Sequence, residues 1–326
     1  MKRAYLKLLI GISMIPILGV FGCSKDEEEE GSGSYAYVSD GEHGFCIIDI
    51  SKPSSPREVG RCDTPDWASG VFISGSYAYV ADRGCGLRII DISDPTAPRE
   101  VGYHETLDKA CDVFVSNGYA YVADGERGLW IIDISDPSAP YKVGDWDTEG
   151  DAVGVFVSGN YAYIADYNYG LRIIDISNPS SPYEVGYYDT PGLAYGVFVS
   201  GDYAYIADGY RGLRIIDISN PSEPQEVGYS SIPGDAMGVF ISERYAYVAA
   251  DEGGLRIIDI SNSSSPYEVG YCSIPGFAAG VSVLGSYAYV VAEAYGLCII
   301  DISNPSSPHE AGYYNTYGHA EDVFVK

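Results

Sequence analysis

The sequence predicts an all-β fold, a seven-bladed β-propeller with four antiparallel strands per blade, and three observations carry that expectation. The tripeptide Tyr-Ala-Tyr recurs every 42 residues, at Tyr35, Tyr77, Tyr119, Tyr161, Tyr203, Tyr245 and Tyr287. The Asp of Ile-Ile-Asp-Ile-Ser keeps the same interval, at Asp49, Asp91, Asp133, Asp175, Asp217, Asp259 and Asp301. Seven such units fill residues 33–326 with nothing left over, and a unit of ~40 residues repeated seven times is the signature of propeller blades. Composition agrees: 39 Gly and 18 Pro supply turns, and 31 Tyr against 9 Phe and 3 Met favour short strands over helices.

Taken in order, residues 1–22 read as an export signal. Lys2, Arg3 and Lys7 precede an apolar run from Leu8 to Phe21, broken by Pro16 and shorter than the ~20 residues a spanning helix needs. The run ends in Val20-Phe21-Gly22-Cys23, which resembles the lipobox of bacterial lipoproteins; the resemblance implies lipidation of Cys23 and anchoring in the outer membrane or at the cell surface. Residues 23–32 then form an acidic tether. Its Ser24-Lys25-Asp26 start resembles the tag that sends some Gram-negative lipoproteins to the outer cell surface.

Within one unit, Gly154 to Ser158 is expected as strand A, Tyr161 to Ala165 as strand B, Leu171 to Ile176 as strand C and Tyr183 to Tyr188 as strand D. Strands B and C are apolar on both faces, as strands covered on both sides by neighbouring sheets should be. The chain ends complement each other. Val323 to Lys326 is a strand A with no strand B after it, and Tyr35 opens a strand B with no strand A before it, so the C-terminal strand is expected to complete the first blade and remove the open seam. The unit Tyr-Ala-Tyr-Val-Ala-Asp, then Gly-Leu-Arg-Ile-Ile-Asp-Ile-Ser-Asn-Pro-x-x-Pro, resembles the LVIVD repeat of bacterial and archaeal cell-surface proteins. That resemblance implies a secreted propeller and carries no catalytic residues with it.

Most repeated residues read as structural. The Tyr-Ala-Tyr pairs suit packing between blades, and each Asp of Ile-Ile-Asp-Ile-Ser precedes a Pro-containing turn whose amides a carboxylate can bind. The copies differ from one another at one end only. The C to D turns hardly change, whereas the B to C loops (GEHG, RGCG, GERG, YNYG, GYRG) and the D to A loops (DTPDWASG, ETLDKACD, DTEGDAVG, DTPGLAYG, NTYGHAED) all differ. A ligand-binding face is expected there, from Trp67, Tyr167, Tyr169, Tyr195, Tyr210, Phe277, Tyr295 and Tyr317 mixed with Asp66, Asp151 and Asp235. On one blade, Glu42 and His43 should approach His319, Glu321 and Asp322, a set that could hold a divalent cation; no other cofactor is implied.

Six cysteines follow Cys23 in a chain destined for an oxidising compartment. Cys46 and Cys62 stand equidistant from the centre of their hairpin and are expected to be cross-strand neighbours able to form a disulfide. Cys272 and Cys298 occupy equivalent slots on successive blades, which would put them on the same side of two sheets and out of reach of each other.

A formal charge of −27, from 19 Lys+Arg against 46 Asp+Glu, argues against nucleic acid as a partner. No Ser stands in a strained nucleophile setting, and there are four His. The expected role is a non-catalytic, monomeric binding module recognising an extracellular glycan, peptide or protein. The alternatives are a polysaccharide hydrolase or lyase using paired carboxylates and a passive structural protein of the envelope.

Overall fold

The computed structural model describes residues 34–326; the expected export signal, the expected lipidation site Cys23 and the expected acidic tether lie outside the described residues. Those residues fold into seven four-stranded antiparallel sheets, with no helix among them. Strands run A to D from the axis outward. In blade 4 they are Gly154–Ser158, Tyr161–Ala165, Leu171–Asp175 and Tyr183–Tyr188, so strand C stops one residue earlier than expected. The last strand, Asp322–Val325, pairs with Tyr35–Ser39 and supplies strand A of blade 1, closing the ring as the complementary chain ends predict.

Seven hydrophobic clusters hold the ring together, one between each pair of adjacent blades. The cluster between blades 1 and 2 contains Tyr37, Phe45 and Ile47 from one sheet and Val71, Val80 and Ile90 from the next. Burying one such side chain stabilises by roughly 1.5–3 kcal/mol. The second Tyr of each Tyr-Ala-Tyr lies in these clusters, confirming its packing role. The repeated Asp of strand C accepts the N–H two residues on, as in Ser51 to Asp49 at 3.0 Å and Ser177 to Asp175 at 2.9 Å.

A second set of acids was not anticipated. Asp40, Asp82, Asp124, Asp166 and Asp208, just after strand B, are fully buried. Four of them accept a hydroxyl from the D to A loop, as Thr64 reaches Asp82 and Thr148 reaches Asp166, both at 2.7 Å; Asp208 instead meets the Arg214 guanidinium at 3.2 Å and the Gly192 N–H at 3.0 Å. Blades 6 and 7 replace the pair with Ala250 and Ile232, and Ala292 and Ile274, all buried.

Every C to D hairpin carries a β-bulge between its two consecutive Ile residues. The extra residue shifts the register by one, and a one-residue shift sends a side chain to the other face of the sheet. The expected Cys46 to Cys62 disulfide fails on this account. Cys62 lies opposite Phe45, and Cys46 lies opposite Arg61. Cys46 therefore packs towards blade 7 and Cys62 towards blade 2, on opposite faces of their sheet; all six cysteines among the described residues are free thiols in this structure.

Candidate functional site

B to C loops and D to A loops share one end of the propeller, laced by bridges such as Gly41 to Ala68 and Tyr167 to Ala194. At the axis of that end all seven blades contribute to a cavity of about 500 Å³. Its wall includes one equivalent position near the start of strand A in six blades, Gly70, Gly196, Gly238 and Gly280 in four and Asp112 and Asp322 in two, while blade 4 contributes Val153 next to Gly154. Crowding near the axis explains the glycines: a Cβ on Gly70 would meet the Asp112 Cα at 2.7 Å, and one on Gly154 would meet the Tyr195 carbonyl at 2.8 Å.

The two aspartates flank blade 2. Asp112 accepts the N–H groups of Val113 (2.7 Å) and of Val155 on blade 4 (2.8 Å). Asp322 accepts those of Val323 (2.8 Å) and of Val71 on blade 2 (3.0 Å). Each thus ties its own strand A to the next. Burial and the nearby Asp322 charge push Asp112 up to about 7, and burial raises Asp322 as well. Buried and of like charge, the two carboxylates do not both ionise easily, so near neutral pH the pair retains a proton.

Around them the mouth has two unlike sides. On the side of blades 1 and 2, Trp67 Nε1 donates to Glu321 at 2.8 Å, its indole lies tilted against the His319 ring with centroids 5.2 Å apart, and the Arg83 guanidinium lies 5.0 Å above it. Arg83 also donates from Nε to Ser69 Oγ at 3.0 Å. The far side holds Tyr195, edge-on to Tyr167 at 5.5 Å. Burial, the Tyr167 hydroxyl and the charges of Asp235 and Asp251 push the Tyr195 phenol up to about 12. Exposed Lys109 adds a cation at the rim.

Of the residues expected to form the face, Tyr195 alone lines this cavity; Trp67 contacts the lining residues Glu321 and Arg83, Tyr167 packs edge-on against Tyr195, and the Asp235 charge acts on Tyr195. The others lie away from it. Asp66 is exposed and holds the neighbouring loop by accepting the Gly84 N–H at 2.9 Å. Tyr169 lies under the Arg172 guanidinium, Tyr210 donates to the Pro191 carbonyl, and Tyr295 stacks on Tyr313 of the outermost strand. Phe277 and Tyr317 are exposed on separate loops, and Asp151 is half-buried in a third.

The expected cation site is not formed. Glu321 is engaged with Trp67 and Arg83, both Asp322 oxygens accept backbone N–H groups, and the His319 ring lies tilted against Trp67. His43 Nδ1 lies 3.9 Å from Glu42 and bonds no other residue of the set. Among the described residues no group of three His, Cys, Asp or Glu side chains converges in a metal-binding arrangement.

Two features escaped the sequence reading. One is the Asp112 and Asp322 pair, whose signal was the D that ends two D to A loops where the others end in G. The other is a collar of Phe324, Phe72, Phe114, Phe156, Phe198 and Phe240 on successive strands A, with neighbouring ring centroids 4.6–5.2 Å apart. Ser282 takes the collar position in blade 7. Six of the nine Phe falling at one position of the repeat was the available clue.

Comparison with known proteins gives the following. A family model described as LVIVD repeat matches residues 32–64, 67–106, 108–148, 149–190, 191–230, 233–273 and 275–316. No curated protein matches. Among solved structures, a functionally unknown protein from Desulfotomaculum acetoxidans superposes with a TM-score of 0.76 at 13% identity, covering 90% of this chain and 99% of its own. A hypothetical selenium-binding protein from Sulfolobus tokodaii gives 0.68 at 12% identity, covering 90% and 94%. Apo AztD from Citrobacter koseri gives 0.64 at 13% identity, covering 90% and 98%. At such identities the likeness is one of fold.

Proposed function

Because the chain belongs to the LVIVD-repeat family, we propose that it is a non-catalytic binding module, lipid-anchored through Cys23 at the cell surface, that takes a glycan or peptide ligand at the axial mouth. The observation carrying this reading is the cavity of about 500 Å³, concave, shared by all seven blades and rimmed by the loops that differ from blade to blade. A concave site with aromatic walls and a few placed polar groups is what recognition of a hydroxyl-rich or amine-bearing ligand needs. Tyr195 offers an aromatic platform in the wall, Trp67 holds the wall residues Glu321 and Arg83, the acidic groups offer acceptors, and Arg83 and Lys109 offer donors.

Screening glycan and peptide arrays with the purified protein identifies the ligand, and variants then test the site. Trp67→Ala and Tyr195→Ala should each abolish binding, while Tyr169→Ala, at the outer rim, should leave it intact. Binding that survives the first two changes but is lost on altering the near-invariant C to D turns would assign the face to the wrong end. The anchor has its own test. Cys23→Ser should release the protein from membranes, and continued co-sedimentation with membrane would remove the lipoprotein reading.

The paired carboxylates favour one second reading, a polysaccharide hydrolase or lyase with the protonated member of the Asp112 and Asp322 pair as acid. Their commitment to backbone N–H groups of two blades argues for a structural role instead. Turnover of any extracellular polysaccharide that is lost in Asp112→Asn would establish the enzyme.

A further inference from the structure

The bulge that separates Cys46 from Cys62 creates a different pairing. In this register the strand D position of one blade faces the strand C position of the next blade, twenty-six residues further on. His104 of blade 2 thus meets Trp130 of blade 3, with ring centroids 6.1 Å apart. Tyr314 of blade 7 packs into the cluster that holds Cys46 of blade 1. Between blades 6 and 7 the two positions are Cys272 and Cys298. Cys272 packs against the cluster in which Cys298 is buried, so the two thiols face each other across the interface rather than standing on the same side of their sheets. Each sulfur makes only a long polar contact: Cys298 Sγ lies 3.7 Å from the Glu310 carboxylate and Cys272 Sγ lies 3.8 Å from the Ser273 carbonyl.

We propose that Cys272 and Cys298 form a disulfide that staples blade 6 to blade 7. Each thiol loses a proton and the pair gives up two electrons to a small-molecule disulfide such as glutathione disulfide, which is reduced to two thiols as the new S–S bond forms. Burial raises both thiols above their ordinary range and so lowers the thiolate fraction in the finished fold. Oxidation therefore belongs to the stage at which blade 7 docks, before the interface is dry. The location supports the assignment independently. Blades 6 and 7 are the two that carry Ile and Ala in place of the buried Thr and Asp, and blade 7 is the one that breaks the phenylalanine collar at Ser282.

The test is to refold the full chain in a glutathione redox buffer, alkylate free thiols and digest after Glu, which cuts at Glu293 and separates the two cysteines. A linked peptide pair, lighter by two hydrogens than the two thiol peptides, is expected. Adding reductant should then lower the Tm by about 5–10 °C, as for a disulfide closing a loop of this size. Cys298→Ser and the half-exposed Cys272→Ser should each abolish that sensitivity, the second serving should the first not fold, while Cys85→Ser keeps it. Recovery of alkylated Cys272 and Cys298 after oxidation, or reductant sensitivity that persists in Cys272→Ser, would overturn the assignment.

Discussion

The buried Thr and Asp that join each D to A loop to the following strand B change together, and the change follows from desolvation. A buried carboxylate is tolerable only while donors surround it, so the loss of Asp at Ala250 and Ala292 goes with the exchange of Thr for Ile at 232 and 274. Thr148→Ile in blade 4 should cost about 1–3 kcal/mol by stranding Asp166, and Asp166→Ala should cost a similar amount by stranding Thr148 and the Gly150 N–H. The double variant, which copies blade 6, should cost less than the two single losses combined. Denaturant melts of all four proteins measure that coupling, and strict additivity would show that the pair does not act as one unit.

Protonation at the residue scale sets the pH profile. Asp112, raised to about 7, binds a proton more readily folded than unfolded, so its contribution to stability falls as pH rises from the ordinary carboxylate range through 7. Asp91 has the opposite sign: the Ser93 hydroxyl and N–H hold it at about 2, and the stability it supplies is lost as pH falls from 3.8 towards 2. Maximum stability is therefore expected on the acid side of neutrality, with a Tm several degrees higher at pH 5 than at pH 8. Asp112→Asn should flatten the slope of Tm against pH while losing one of the two backbone N–H bonds, since the amide has a single acceptor oxygen; an unaltered slope would place the effect elsewhere in the excess negative charge.

At the scale of single elements, strand D is the revealing one. Its Gly follows the bulge, and in each blade the space a Cβ would need is taken by a turn carbonyl of the next blade, as Pro221 does against Gly186. Gly186→Ala should therefore cost about 1–3 kcal/mol from overpacking, whereas Gly159→Ala, in an open A to B turn with nothing near it, should lose only the smaller amount set by its positive φ. Comparing their melting temperatures checks which effect dominates. Strand boundaries, the order A to D and the identity of the variable end were all legible in the sequence, because each rests on periodicity and turn chemistry. The bulge was not legible. Nothing in Ile-Ile-Asp-Ile-Ser signals an extra residue on the opposing strand, so the cysteine register came out one place wrong. The site was legible in part for a related reason: loop variation marks a face, but only the radial position of each blade tells Tyr195, at the axis, from Tyr169, beside the outer strand.

For the whole molecule, stability depends on ring closure. Lys326 and Tyr35 exchange two backbone hydrogen bonds of 3.1 Å, and Val323 and Val325 are buried in the cluster shared with blade 7. Removing Val323 to Lys326 should lower the Tm by 10 °C or more, from lost ladder bonds and two buried side chains worth roughly 1.5–3 kcal/mol each. A circular permutant that joins the natural ends and opens the turn at Gly159 should melt close to the parent. An unchanged Tm in the truncated protein would mean that strand A of blade 1 adds nothing to the ring.

The closure also places each covalent repeat across two sheets: three strands of one blade and the innermost strand of the next. Loss of one 42-residue unit by recombination between the near-identical copies, for instance residues 161–202, would leave strand A of blade 4 running directly into strand B of blade 5. No strand would lose its partner, and the C-terminal segment would still complete blade 1. Gene segments of this kind can be gained or shed in whole units without creating an unpaired edge, so the number of blades is free to drift over generations while the manner of closing the ring stays fixed.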